Sequence, residues 1–394
     1  MRFVTRSAGN VSLIISNKIM RPENLLNLDF KLESALLAKL GYPIIDVHSH
    51  INGLRAVELY AQAARQYGVQ LTYSMTQLEG LAEVRSVLGD TVKFIAIPNW
   101  MSSDPVFEHT LGYNERLKSF WNEGSRIAKF WSAPRIFDHG QNINGESLSH
   151  HKHPLRLNSP ARLAAISLAV DMGYKIMVHV SDPDTWFATK YKDQTKYGSK
   201  EWHYEVLEEI LSHVAPCPLI AAHMAGSPED LVRLSRLLES HNNLYMDSSA
   251  TKWQVRELSK HQPAVLQAFF TRWKGRILFG SDIVTAEAHL QSGEKAHEMF
   301  AKAGTEHQAY DLYASRYWAL RKLFETDYSS SSPIADPDLQ MVSPNDFTEL
   351  SSPNIQGFSL PAETLKALYH DAAVSLLGSQ VSAAPKPLEK CRAA

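Results

Sequence analysis

From residue 41 the chain alternates between two patterns. Short apolar runs, rich in β-branched and aromatic side chains, cover residues 43–47, 69–73, 92–98, 126–131, 175–180, 218–222, 243–247 and 276–280. Most of these runs are short and apolar, as buried parallel strands should be. Helix-like stretches lie between them, and two carry start signals. Ser159-Pro160 precedes Ala161-Arg162-Leu163-Ala164-Ala165-Ile166, with Gly173 at the stop. Ser227-Pro228-Glu229-Asp230 precedes Leu231-Val232-Arg233-Leu234. In both, the serine is expected to cap free amides and the proline to fit the first turn. Eight strands, each followed by a helix, predict a (β/α)8 TIM barrel with loop insertions and a C-terminal helical extension. An open doubly wound sheet is the competitor, but no Gly-x-Gly-x-x-Gly turn follows the first strand.

The same pattern divides the chain. Residues 1–40 read as an N-terminal extension, 41–325 as the barrel, 326–378 as a loop and closing helix packed on it, and 379–394 as a disordered tail. The first 22 residues hold Arg2, Arg6, Lys18 and Arg21 and no acidic residue. They lack a clear apolar core and cleavage site, so a loosely ordered extension is preferred to a targeting segment, with Met20 an alternative start. Residues 133–158 form the longest insertion and carry His139, His150, His151 and His153. Residues 329–357, rich in Ser, Pro and Asp, read as an extended loop, and 360–377 as a helix.

Composition narrows the class. Of 394 residues, 44% are hydrophobic and 21% charged, enough apolar surface for a large core. The net charge of -2 gives no electrostatic case for nucleic acid or an anionic membrane. No uncharged apolar run is long enough to span a bilayer. Two cysteines, Cys217 and Cys391, make neither a disulfide framework nor a thiolate metal site, and a reducing cytoplasm is the expected setting. The expected partner is a small-molecule substrate; a homodimer is compatible with the class but has no sequence pattern behind it.

Candidate chemistry collects at the strand ends, which in a barrel surround the active site. The first strand closes on Asp46-Val47-His48-Ser49-His50. Residues two apart on a strand point the same way, so His48 and His50 aim both imidazoles at one point, a ready pair of metal ligands. The fifth strand ends in His179, the sixth in His223, and the eighth in Gly280-Ser281-Asp282. Alone, either later histidine reads as a hydrogen-bonded core residue and Asp282 as a helix cap. Together they occupy the position where a barrel keeps its chemistry.

The order Asp-x-His-x-His, then His179, His223 and Gly-Ser-Asp282, resembles the amidohydrolase superfamily, and most closely its amidohydrolase-2 branch of metal-dependent hydrolases and nonoxidative decarboxylases. The resemblance covers residues 41–325, with 360–378 similar to the branch's closing helix. It implies that His48, His50, His179 and Asp282 bind one divalent metal ion, zinc first, with manganese, iron or cobalt as alternatives. It places His223 beside the ion, facing the substrate. The expected activity is hydrolysis of a small amide, lactone or ester through metal-activated water, whose pKa the ion lowers towards about 7. Asp282 would accept the water's proton and pass it to the leaving group, and His223 would donate a hydrogen bond to the carbonyl oxygen. A metal-dependent nonoxidative decarboxylase is the alternative, and a non-catalytic ligand-binding barrel a third reading.

Lys129 on the fourth strand is a candidate second-metal or substrate ligand. In some superfamily members a lysine here is carboxylated and bridges two metals, whereas a salt bridge in the barrel mouth is the plainer reading. Arg135 is a candidate partner for a substrate carboxylate, and Trp100 and Trp131, with Trp186, are candidate walls for a planar substrate. Asp46 is expected to support a ligand or tie down the barrel. Asp182-Pro183-Asp184 reads as a turn and helix cap. The segment after Asp282, Ile283-Val284, departs from the aromatic-proline pair of many relatives, and that departure leaves the substrate open. Glu325-Thr326-Asp327 resembles a ligand-bearing ending of related deoxyribonucleases but follows a helical run, so it reads as a helix end.

Overall fold

Residues 44–49 are all buried, as a strand enclosed on both faces requires. They belong to β1 (Ile44–His50), the first of eight parallel barrel strands. The others are β2 (Val69–Ser74), β3 (Val92–Phe94), β4 (Ile127–Trp131), β5 (Lys175–His179), β6 (Leu219–Ala221), β7 (Leu244–Asp247) and β8 (Ile277–Leu278). The computed structural model describes residues 21–139, 142–143, 146–293 and 300–378. The readings placed on residues 1–20 and 379–394 lie outside them.

Ladders join β1 to β2 to β3, and β4 through β5, β6 and β7 to β8. Two seams complete the ring. Between β3 and β4, Ala96 bridges Ala128; its N–H donates to Ile127 O at 2.8 Å, and its carbonyl accepts from Lys129 N at 2.8 Å. Between β8 and β1, Val47 N donates to Phe279 O at 2.9 Å and Asp282 N to His48 O at 2.8 Å. Ile283 and Val284 then run beside Ser49 and His50. The (β/α)8 barrel read from the sequence is the observed architecture. The runs 92–98 and 276–280 form shorter ladders than expected, because the chain leaves regular pairing at both seams.

Helices follow the strands and bury one face on the barrel. Residues Arg55–Gln66 bury Val57, Leu59, Tyr60 and Ala63, and Glu306–Glu325 is buried along most of its length. Ser159 caps Pro160–Asp171 by accepting from Arg162 N. The cap at Leu231–Ser240 is Asp230, not Ser227; Ser227 instead closes the turn after β6. Aspartate and serine both cap helices and stand three residues apart here, so composition alone does not separate them.

The segment 329–357 is ordered, which corrects the extended-loop reading. Ser329–Ser331 pairs antiparallel with Asn354–Gln356, and the enclosed helix Pro337–Val342 is capped by Asp336. The serines, prolines and aspartates that suggested a loop serve as caps and turn residues. Residues 362–377 form the expected final helix, interrupted by a π turn at Ala367–Asp371. That wider turn lets the Leu368 carbonyl accept from Phe279 N at 3.0 Å, beside β8. Residues 306–325 end as a helix at Glu325, as read. The N-terminal segment packs on the same helix: Asn24 Nδ2 donates to Asp311 at 2.9 Å, and Trp318 Nε1 to Glu33 at 2.9 Å. The main apolar core runs from Phe30 to Leu376, and a smaller cluster of Ile136, Phe137 and Leu155 lies apart from it. No described helix is long and apolar enough to cross a membrane.

Candidate metal centre

β1 delivers His48, fully buried, and His50, whose side chain is 19% exposed. Asp282 arrives from the turn after β8 with a left-handed φ of 59° and 30% of its side chain exposed. Its Oδ1 lies 3.2 Å from His50 Nε2 and 3.6 Å from His48 Nε2. Four bonds of about 2.1 Å in a tetrahedron place ligand atoms roughly 3.4 Å apart, so these three atoms suit one small divalent cation. Gly280 permits the approach: a Cβ there would sit 2.9 Å from His48 Cβ and 3.0 Å from Ser249 Cβ.

The nitrogen that His48 presents is fixed from behind. Nδ1 donates to Asp247 Oδ2 at 2.9 Å, leaving Nε2 with its lone pair towards the mouth. Lys129 Nζ donates to that lone pair at 3.5 Å. Lys129 is buried on β4, and burial pushes its pKa down to about 8 against the pull of Asp247 and Asp282. Burial, then the Lys129 charge, also lowers His48. Burial would raise Asp282, but the mouth is open. The His50 hydrogen bond and the imidazoles of His223 and His48 hold its carboxyl well below the usual range.

Asp46 lies beneath. It accepts from His48 N at 3.1 Å, Ser281 N at 3.1 Å, Ser281 Oγ at 2.6 Å and Tyr317 OH at 2.8 Å. It therefore ties the strand bearing the two imidazoles to the turn bearing Asp282. Burial pushes its pKa up to about 6 despite those bonds.

His223 and His179 flank the cluster. The His223 ring centre is 4.7 Å from that of His48 and 4.5 Å from that of His179. Burial, then the neighbouring His179 and His48, hold His223 well below its ordinary pKa. His223 opens a left-handed run, with φ of 58°, 50°, 55° and 70° from His223 to Gly226. Gly226 is obligatory, because a Cβ there would lie 1.9 Å from Ser181 O. His179 Nε2 donates to Asp182 Oδ1 at 2.7 Å, and Tyr191 OH holds Asp182 Oδ2 at 2.5 Å. Asp182 thus orients His179, and the helix Asp184–Phe187 has no side-chain cap, which corrects the turn-and-cap reading. Among the described residues, converging metal-type atoms belong to His48, His50 and Asp282, and to His48, His223 and Asp247; His179 is in neither group. The atoms of the second group are already engaged with one another and with Ser249, so the first is the candidate ion site.

Of the substrate candidates, Trp100 lies tilted against His50 with ring centres 5.2 Å apart, and its Nε1 is buried without a hydrogen-bond partner. Trp131 packs between His109 and His139, and Arg135 is exposed on the turn Pro134–Asp138. Trp186 meets Trp253, whose ring stands edge-on to His179 and His223 at 6.1 and 5.7 Å. Asp247, Ser249 and Trp253 are members that sequence reasoning missed. Asp247 closes an apolar strand just as His179 and His223 do, and that signal was there to be read.

Residues 139–378 match the family model described as Amidohydrolase. No curated protein matches the chain. Among solved structures, a zinc-bound amidohydrolase from Burkholderia multivorans is 11% identical, over 85% of this chain and 99% of that one, with a TM-score of 0.37. The N-acetyl-D-glucosamine-6-phosphate deacetylase of Mycobacterium smegmatis is 16% identical over 65% of this chain, with a TM-score of 0.36. The chain spans 56% and 61% of the length of two structures of that deacetylase.

Proposed function

We propose that this chain, which belongs to the amidohydrolase family of metal-dependent enzymes, hydrolyses a small carbonyl compound such as an amide, lactone or ester. The observation that carries the reading is the convergence of His50 Nε2 and His48 Nε2 on Asp282 Oδ1, at 3.2 and 3.6 Å, at the C-terminal ends of β1 and β8. A divalent ion held by that set, zinc being the best fit, supplies a Lewis acid and acidifies water at neutral pH. Asp282, ionised because its partners favour the charged form, takes a proton at Oδ2, the oxygen not committed to the ion, and returns it to the leaving group. Asp247 holds His48 in the tautomer that leaves Nε2 free. Trp100 and Trp253 wall the mouth, exclude water and favour a substrate with a flat apolar part.

One observation favours a second reading. The Lys129 amine reaches the same point as the metal-type atoms, where it would pair with a substrate carboxylate, and loss of that carboxylate as carbon dioxide is the decarboxylase alternative.

Elemental analysis of the purified protein and of a His48→Ala, His50→Ala variant tests the site. About one equivalent of metal in the first and none in the second is expected. No metal in either, even after adding zinc or manganese back, sinks the reading. With metal present, carbon dioxide released from carboxylated aromatic substrates, and no cleavage of amides or esters, transfers the assignment to the second reading.

A further inference from the structure

Ser249, two residues beyond β7, sits at the centre of four hydrogen bonds that together decide where the protons are. Its Oγ contacts Asp247 Oδ1, His223 Nδ1 at 2.7 Å and His48 Nδ1 at 3.1 Å, and its N–H donates to Asp247 Oδ1 at 3.1 Å. Asp247 also accepts from His223 N at 2.9 Å. All four residues are buried, with His223 the most exposed at 3%.

With Ser249 Oγ donating to Asp247 Oδ1, the remaining protons follow. A serine hydroxyl has a single hydrogen. Asp247 accepts from His48 Nδ1, two backbone amides and Ser249, and these hold it as a carboxylate. A carboxylate has no hydrogen to give, so the contact between Ser249 Oγ and Asp247 Oδ1 carries the serine's own proton. Ser249 Oγ then has only lone pairs left for His223. The 2.7 Å contact must be a donation from His223 Nδ1–H. A neutral imidazole protonated at Nδ1 is unprotonated at Nε2.

We infer that Ser249 is a positioning residue that locks His223 as the Nδ1–H tautomer, so that His223 Nε2 faces the site as a proton acceptor. This reverses the direction expected from the sequence, in which His223 donates to a carbonyl oxygen. It rests on the proposed hydrolytic reading only for its use: Nε2 takes a proton from the attacking water or from the substrate. Asp247 governs both rings, His48 directly and His223 through the Ser249 hydroxyl. Asp247 and Ser249 thereby give the site two outward-facing imidazole lone pairs, on His48 and His223.

The test reads tautomers in metal-free, substrate-free protein, so it stands or falls apart from the hydrolytic reading. Long-range 15N–1H spectra of histidine-labelled protein at pH 7.5, with His223 identified by its loss in His223→Gln, report which ring nitrogen is protonated. Nδ1–H is expected in the wild type and in Ser249→Thr, which keeps the hydroxyl. A shift towards Nε2–H is expected in Ser249→Ala. In the metal-loaded enzyme, Ser249→Ala should lower kcat at least tenfold with KM within twofold, and Ser249→Thr should restore it. Nε2–H in the wild type, or an unchanged Nδ1–H signal in Ser249→Ala, overturns the inference. Should Ser249→Ala not fold, Ser249→Cys replaces it with the same expectation, since a thiol is a poor acceptor.

Discussion

Five residues other than glycine hold left-handed backbones at the mouth: His223, Met224, Ala225, Ala250 and Asp282. They follow β6, β7 and β8, and each costs roughly 1–2 kcal/mol against a right-handed conformation. Such a cost persists only where the surroundings fix the geometry, and here it turns three strand ends sharply enough to bring His223, Ser249 and Asp282 together. Ala250 precedes the helix Thr251–Leu258 with φ 65°. Ala250→Gly should therefore be neutral or raise unfolding stability by about 0.5–1 kcal/mol, whereas the same change inside a right-handed helix costs about 1 kcal/mol. Urea unfolding of the single variant decides it; a loss above about 1 kcal/mol would mean that the backbone at 250 is not strained.

At the scale of elements, the wall of the site is held by a segment far along the chain. Asp338, in the helix Pro337–Val342, accepts from Trp186 Nε1 at 2.9 Å, Trp253 Nε1 at 3.0 Å and Arg256 Nη1 at 3.1 Å. Arg256 also pairs with Asp336 and Glu257. Asp338→Ala should cost about 1–3 kcal/mol and free both indoles, seen as red-shifted tryptophan emission and easier acrylamide quenching. Unchanged emission would show that the ring positions do not depend on this clamp. The clamp was not legible in the sequence, because Trp253 and Asp338 are joined across 85 positions with no local pattern. The strand ends were legible, because an apolar run that stops at His179 or His223 leaves its mark within five residues. Asp247 carried the same mark and was passed over, and Ser249 carried none. The Asp336-Pro337 start was obscured by a composition that caps and loops share.

The whole molecule should be acid-sensitive for a reason remote from the candidate ion. His203 and His109 are buried, and burial pushes them down to about 4 and about 3; the Tyr197 carbonyl partly opposes this for His203, while Arg162 and His139 add to it for His109. An unfolded histidine titrates near 6.5. Between that value and the folded one, the unfolded chain binds more protons, so stability falls as pH falls from about 6.5 towards 4. Over that window each ring contributes a loss on the order of 3 kcal/mol. Urea midpoints at pH 7.5, 6.5, 5.5 and 4.5 should fall more steeply below 6.5 in the wild type than in His109→Gln or His203→Gln, since the raised Asp46 carboxyl opposes the fall equally in all three; equal slopes would contradict the burial of neutral imidazoles.

The (β/α)8 pattern was readable from end to end, yet closure depends on contacts that no window of sequence displays. Asp46 meets Ser281 across 235 positions, and the Leu368 carbonyl supports the same seam from later still. The candidate ligands lie on either side of that seam. On the ribosome, the strand with both imidazoles emerges early and the carboxylate that completes the set emerges near the end. A growing chain therefore displays two histidines with no third ligand for most of its synthesis. An ion held by this set would be captured only once the last strand closes the ring, and its presence would mark a finished barrel.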